Sequence, residues 1–126
     1  KKDVMRYRAI PSVIYTNPEV GCVGETEESA KAKGIETECV TLTMKYSGRY
    51  VAETEGGIGD GICKMIMDKK HRNIIGVHMI ANYASEIIYG AAMMVETEMT
   101  VDELKEIVFP HPTVCEILRE GLFQFK

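Results

Sequence analysis

Apolar positions recur along this chain with two periods, and the switch between them near residue 83 divides it. In the first part they alternate. Residues 12–15 and 20–23 read as short β segments around a turn at Asn17-Pro18, where the proline drives Asn17 out of the helical region. A helix follows: Thr26 is a candidate N-cap, Glu27 and Glu28 suit the positive end of the helix dipole, Lys31 and Lys33 come late, and Gly34 supplies the stop. Residues 37–44 alternate again, with Val40, Leu42 and Met44 on one face. Between residues 46 and 61 no period survives. Residues 62–68 and 73–80 are strongly apolar and are joined by the charged turn Lys69-Lys70-His71-Arg72, a hairpin signal.

From residue 83 to about 97 the period becomes helical. Ala84, Ile87, Ile88, Ala91 and Val95 form one stripe, widened by Ala92 and Met99; Met93 and Met94 extend the apolar surface, read as core in preference to a subunit interface. Thr100-Val101-Asp102-Glu103 is a capping box opening a second helix that ends before Phe109-Pro110, and a third begins after Thr113. The predicted order is ββαβββααα. Hairpin-linked strands followed by helices imply an α+β fold, an antiparallel sheet of about five strands with helices packed on one face. With no repeat or linker to divide it, the chain reads as a single domain over residues 1–126, and its start at Lys1 without a signal segment reads as excised from something longer.

Composition narrows the function classes. No run of apolar residues is long enough to span a bilayer, so no membrane role is expected, and the formal charge of −4 without a basic cluster beyond residues 69–72 argues against nucleic acid. Cys22, Cys39, Cys63 and Cys115 lack metal-ligand or redox-motif spacing, so they are expected as free thiols of a cytoplasmic protein, with no metal site. The glycine-rich residues 55–61 lead into a strand and lack the Lys-Ser/Thr of a phosphate cradle, so they are read as a mobile loop. His78 lies in an apolar strand and is expected to be a hydrogen-bonded structural residue; His71, in the turn, is expected to face solvent.

Candidate chemistry concentrates at His111-Pro112-Thr113-Val114-Cys115-Glu116. An imidazole titrates near neutrality, and a carboxylate on its second nitrogen fixes the tautomer, the requirement for a proton-transfer pair. Thr113 to Glu116 equally fits a capping box, in which Glu116 merely reaches back to a backbone N–H. Side chains of a first helical turn lean toward the N-terminus, which aims Glu116 at His111, and one carboxylate has two oxygens, so both arrangements stay open. Pro110 and Pro112 restrict the backbone on both sides of His111. Cys115 stands alone beside Glu116, a poor setting for a thiolate nucleophile.

The run Ile10-Pro11-Ser12-Val13-Ile14-Tyr15-Thr16-Asn17-Pro18-Glu19-Val20-Gly21-Cys22-Val23-Gly24, followed by Thr26-Glu27-Glu28, resembles the opening of the C-terminal interface domain of flavin-dependent disulfide reductases. His111-Pro112-Thr113 with Glu116 is similar to that domain's end, with Ile75-Gly76-Val77-His78 and Ala84-Ser85-Glu86 between. Tyr-Thr-x-Pro-Glu-Val at residues 15–20 resembles dihydrolipoamide dehydrogenases in particular. Glutathione reductases tend to carry Pro-Pro there, and mercuric reductases end in a vicinal cysteine pair. Three positions depart from the pattern: Asn17 replaces a usual His, Phe109-Pro110 a common His-Ala, and Cys115 a common Ser.

This resemblance implies a homodimer in which His111 enters the partner's active site as the base that takes a thiol proton from dihydrolipoamide, supported by Glu116. Electrons would then reach NAD+ through a redox disulfide and FAD. It further implies a cis bond before Pro112 and, at His111 and Pro112, a backbone contact with the partner's flavin. The dihydrolipoamide would be free or carried on a lipoyl domain of a 2-oxoacid dehydrogenase complex. The chain has neither G-x-G-x-x-G nor a Cys-x4-Cys pair, so on its own it is expected to bind neither cofactor and to be inactive. The competing expectations are a non-catalytic dimerisation module, or the same domain from a mercuric- or glutathione-reductase-like enzyme.

Overall fold

In the computed structural model, which describes residues 3–54, 56 and 60–126, the alternating segments become five strands: β1 (Ser12–Ile14), β2 (Val20–Gly24), β3 (Thr37–Thr43), β4 (Ile62–Asp68) and β5 (Ile74–Ile80). They form one antiparallel sheet in the order β1-β2-β5-β4-β3. Residues paired across strands share a face. The register therefore builds two continuous apolar rows on one side, Val40-Met65-Val77-Val23 and Leu42-Cys63-Met79-Gly21. Met65, Cys63 and Val77 are fully buried there.

The helices are α1 (Glu27–Ala32), α2 (Gly48–Glu53), α3 (Ala84–Thr97), α4 (Val101–Lys105) and α5 (Glu116–Leu122). Those from α2 onward contribute to the core over the two rows: Tyr50, Ile88, Ala91, Val95, Leu104, Ile117 and Leu122 are all buried in it. The α3 stripe is as expected from its period, except that the adjacent methionines divide: Met94 is buried and Met93 is 47% exposed.

One helix departs from the single-face arrangement. β2 and β3 are separated by β5 and β4, so the chain joining them must cross the sheet, and α1 crosses on the face that α3 leaves open. Its Ala30 is fully buried, its Glu27 pairs with Lys64 of that face, and the backbone just before it passes directly over Gly76. A Cβ at Gly76 would collide with the Glu25 carbonyl oxygen, which also receives the His78 Nε2 proton at 2.8 Å. His78 is thus a structural hydrogen-bonding residue. Beyond α1 this face carries an apolar row, Ile14-Val20-Ile80-Ile62, whose isoleucines are exposed.

α2 stands where no period was visible. Ser47 caps it by accepting from the Tyr50 N–H at 3.2 Å, and Tyr50 is its single buried side chain. One buried residue in six leaves no periodic trace, and an opening glycine lowers helix propensity further. Of the glycine-rich stretch, residues 55 and 57–59 lie outside the described residues.

Candidate functional site

Two helices deliver the His111 segment to its place. α4 opens with the expected capping box, in which the Thr100 hydroxyl accepts from the Glu103 N–H at 3.2 Å and Glu103 Oε2 accepts from the Thr100 N–H at 2.8 Å. Its Val101 N–H donates to the Arg72 carbonyl at the β4–β5 turn, which ties the helix to the sheet. α5 lies over β4 and β3 because Gly121 lets it approach Met65 and Leu42; a Cβ there would overlap the Met65 sulfur. The chain between α4 and α5 is thereby stretched across residues 106–115, with both Pro110 and Pro112 inside it.

The bond between His111 and Pro112 is cis, as is that between Asn17 and Pro18. After it, Thr113 does not cap α5 in the expected manner. Its hydroxyl donates to the Pro110 carbonyl at 2.7 Å, and Cys115 occupies the N-cap position without a side-chain bond to the helix. Half of the predicted capping box survives: the Thr113 N–H donates to Glu116 Oε2 at 2.8 Å. The other oxygen, Oε1, lies 2.6 Å from His111 Nδ1. The carboxylate therefore serves both arrangements that the sequence left open.

An ionised carboxylate can only accept, so the ring proton sits on Nδ1 and Nε2 is left as a base. The Thr113 N–H above all, with the imidazole and more distant Arg119 behind it, holds the Glu116 carboxyl below its ordinary range despite partial desolvation. Glu116 is 13% exposed at the side chain and His111 is 80% exposed. The acceptor is fixed inside the fold while the imidazole projects from it. His111 opens onto a cleft of about 400 Å3 bordered by Tyr46, Phe109 and Arg119.

A second histidine–carboxylate contact shows what the first adds. His71 Nδ1 lies 2.8 Å from Asp68 Oδ2, but that carboxylate belongs to the same hairpin turn, whose Lys70 and His71 N–H groups it also binds. That pair closes a turn; the His111 pair joins a loop to a helix and fronts a cleft. Cys115 is half-buried with its sulfur 3.2 Å from the Thr113 hydroxyl, while Cys63 is fully enclosed and burial pushes its thiol up to about 12. All four cysteines are free thiols in this structure. Among the described residues no group of three or more His, Cys, Asp or Glu side chains is placed to hold a metal ion.

Sequence reasoning found the pair itself but missed Ser47. This residue is 1% exposed, and its hydroxyl donates to the Thr113 carbonyl at 2.9 Å. The one available signal was a capping-type residue ahead of Gly-Arg; the acceptor is a backbone carbonyl, which has no sequence signature.

The model of the pyridine nucleotide-disulphide oxidoreductase dimerisation domain matches residues 10–121. The chain belongs to this family. Among its relatives a dihydrolipoyl dehydrogenase of Cupriavidus necator is 35% identical over 121 residues, covering 96% of this chain and 25% of its own length. A mercuric reductase of Shewanella putrefaciens is 38% identical over 110 residues, covering 87% of this chain and 19% of its own. Of solved structures, the HOCl-induced flavoprotein disulfide reductase RclA of Escherichia coli superposes with a TM-score of 0.83 at 25% identity, covering 93% of this chain and 26% of that one. LpdA of Mycobacterium tuberculosis shares the fold at a TM-score of 0.85 and 22% identity, over 97% of this chain and 26% of its own. This dimerisation domain therefore spans about a quarter of the length of the first of these relatives, and its family is one of oxidoreductases.

Proposed function

We propose that the chain is the interface portion of a dihydrolipoamide-dehydrogenase-like flavoenzyme, and that it contributes His111 and Glu116 as an acid/base pair to the active site of a partner protomer. The observation that carries this reading is the 2.6 Å contact between His111 Nδ1 and Glu116 Oε1, combined with an imidazole whose other edge faces outward. Nε2 takes the proton from a thiol of dihydrolipoamide. The resulting thiolate attacks one sulfur of a redox disulfide carried on the longer protein, the S–S bond breaks, and the second sulfur leaves as a thiolate. Glu116 holds the tautomer and stabilises the imidazolium once formed.

FAD and NAD+ supply the electron path of such an enzyme when bound. The only backbone acceptor that the bond between His111 and Pro112 offers is the His111 carbonyl, and Pro112 has no N–H to donate. That is enough to touch one edge of a flavin held elsewhere and not enough to hold a phosphate.

Homodimerisation is proposed through the apolar trough of about 420 Å3 between α3 and α5, where Met93, Ile107, Phe109 and Pro110 lie beside buried Leu104 and Leu118. The exposed isoleucines across the opposite sheet face support a domain that works packed against further protein. A cytoplasmic setting and a lipoyl-domain substrate belong to the same proposal.

The mercuric reductase relative at 38% identity favours a second reading, the same domain in a thiol or disulfide reductase with another substrate. Turnover of the full-length protein with dihydrolipoamide and NAD+, against Hg(II) and disulfide substrates, decides between the two, and His111→Gln in the same protein separates either from a non-catalytic module.

A further inference from the structure

The geometry points to Ser47 as a positioning residue for the His111/Glu116 pair, acting through the backbone of Thr113. This inference deepens the proposed acid/base function and rests on that reading only for its catalytic consequence. Among the described residues, the bond from the Ser47 hydroxyl to the Thr113 carbonyl is the one hydrogen bond that reaches residues 109–115 from outside that loop and α5. The loop's remaining bonds stay within it, as from the Thr113 hydroxyl to the Pro110 carbonyl, or go to α5, as from the Thr113 N–H to Glu116 Oε2 and from His111 Nδ1 to Glu116 Oε1. The two peptide groups of Thr113 thus have different tasks. Its carbonyl is held by α2, and its N–H holds the carboxylate.

The consequence follows from the two oxygens of Glu116. While the Thr113 N–H engages Oε2, the carboxylate cannot rotate, and Oε1 stays opposite His111 Nδ1. Release of the Thr113 carbonyl lets that peptide turn, Oε2 loses its donor, and the imidazole loses the acceptor that selects the Nδ1–H tautomer. Ser47 is suited to the task because it is itself fixed three ways. Its N–H donates to the Met44 carbonyl at 2.9 Å, its hydroxyl oxygen accepts from the Tyr50 N–H, and it is almost fully enclosed. Tyr50 in turn donates through its hydroxyl to the Asp60 carbonyl at 2.5 Å and accepts from the Asn82 N–H at 3.3 Å, so α2 is braced from its far side. The hydroxyl has a single proton, committed to Thr113, and its lone pair caps the helix; no second donor is required.

The test must separate positioning from loss of the α2 cap. Glycine is nearly as good an N-cap as serine but has no hydroxyl, so Ser47→Gly removes the loop bond while sparing the helix. Ser47→Thr retains the hydroxyl. The readout is the His111 ring tautomer, followed by nitrogen-15 chemical shifts of the imidazole in the 126-residue chain, with the dispersion of the amide spectrum as the folding control. In the native chain and in Ser47→Thr the Nδ1–H form dominates at a pH where the ring is neutral. In Ser47→Gly the ratio of Nδ1–H to Nε2–H falls by about tenfold, the change that loss of one hydrogen bond to a charged group carries.

A folded Ser47→Gly chain with the native ratio overturns the assignment. If that variant does not fold, Ser47→Thr decides alone: an unchanged ratio supports the hydroxyl, and loss of the Nδ1–H form despite a retained hydroxyl overturns it. In the full-length enzyme the two readings part company. A tautomer shift in Ser47→Gly with full activity in His111→Gln sinks the acid/base function and leaves the positioning intact. Inactive His111→Gln, together with a Ser47→Gly enzyme whose kcat and pH profile match the native one, sinks the positioning alone.

Discussion

Glu116 is enclosed where His111 is not: the two side chains are 13% and 80% exposed although their polar atoms lie 2.6 Å apart. The rigid member of the pair is the carboxylate, anchored by the Thr113 N–H at the start of α5. Removing the imidazole should therefore leave the fold intact while removing the proposed base. In the full-length protein, His111→Gln is expected to lower dihydrolipoamide oxidation by at least the ~10²-fold typical of a general base, with dimerisation unchanged by ultracentrifugation.

Acid stability reads the same contact from the other side. The Glu116 carboxyl titrates below its ordinary range in the fold, so the stability it contributes is present above the ordinary glutamate range and is lost as pH falls through its lowered native value. Urea midpoints measured from pH 6 down to pH 3 should fall less steeply in Glu116→Gln than in the native chain. Parallel curves for the two proteins would mean that the carboxylate titrates normally.

Two glycines that look alike in sequence are expected to act in opposite directions. Gly76→Ala forces a Cβ into the Glu25 carbonyl, in a strand whose neighbours cannot retreat, and should cost about 1–3 kcal/mol. Gly48→Ala, at the start of α2 with open space around it, should stabilise by up to about 1 kcal/mol through helix propensity. Chemical denaturation of both variants checks the pair.

The buried thiol gives a conformational probe. Cys63 is fully enclosed and its thiol is pushed up to about 12, so it should resist alkylation at neutral pH until the chain unfolds. Mass spectrometry after brief iodoacetamide treatment, with and without denaturant, should show Cys63 modified only in the second sample.

Met93, half out of the α3 stripe, lines the trough proposed to receive the second copy. Met93→Glu should leave the melting temperature of the chain near native, because the side chain is 47% exposed and the carboxylate can turn to solvent. It should weaken self-association of the full-length protein by tenfold or more, as burying an unpaired charge in an interface does. An unchanged dimer constant places the contact on another face.

Much of this architecture is legible in the sequence because β3 alternates, β4 and β5 are apolar runs joined by a charged turn, and α3 carries seven buried side chains at helical spacing. α2 is not legible, since Tyr50 alone is buried in it and a single position has no period. The crossing of α1 to the opposite face is a matter of strand order, and strand order is written in pairings between distant residues such as Cys22 and His78. At the site, the residue types and the lean of a first helical turn were sufficient to bring Glu116 to His111. The contribution of Ser47 was hidden because what it grips is a main-chain carbonyl.

β5, flanked by β2 and β4, receives its two neighbours by unequal routes. β4 reaches it through the short turn at Lys69 and Lys70, whereas β2 must wait for α1, β3, α2 and β4 to be laid down between them. Local pairings form sooner than distant ones, because closing a long loop is entropically dearer. The hairpin of β4 and β5 is thus expected to pair first, with β3 and β2 added at its sides. α5 finds its seat only when Met65 and Leu42 already stand next to each other to receive Gly121. Chains that are refolding or leaving the ribosome are therefore expected to carry the sheet before Glu116 Oε1 meets His111 Nδ1, so that this contact closes among the last in the molecule.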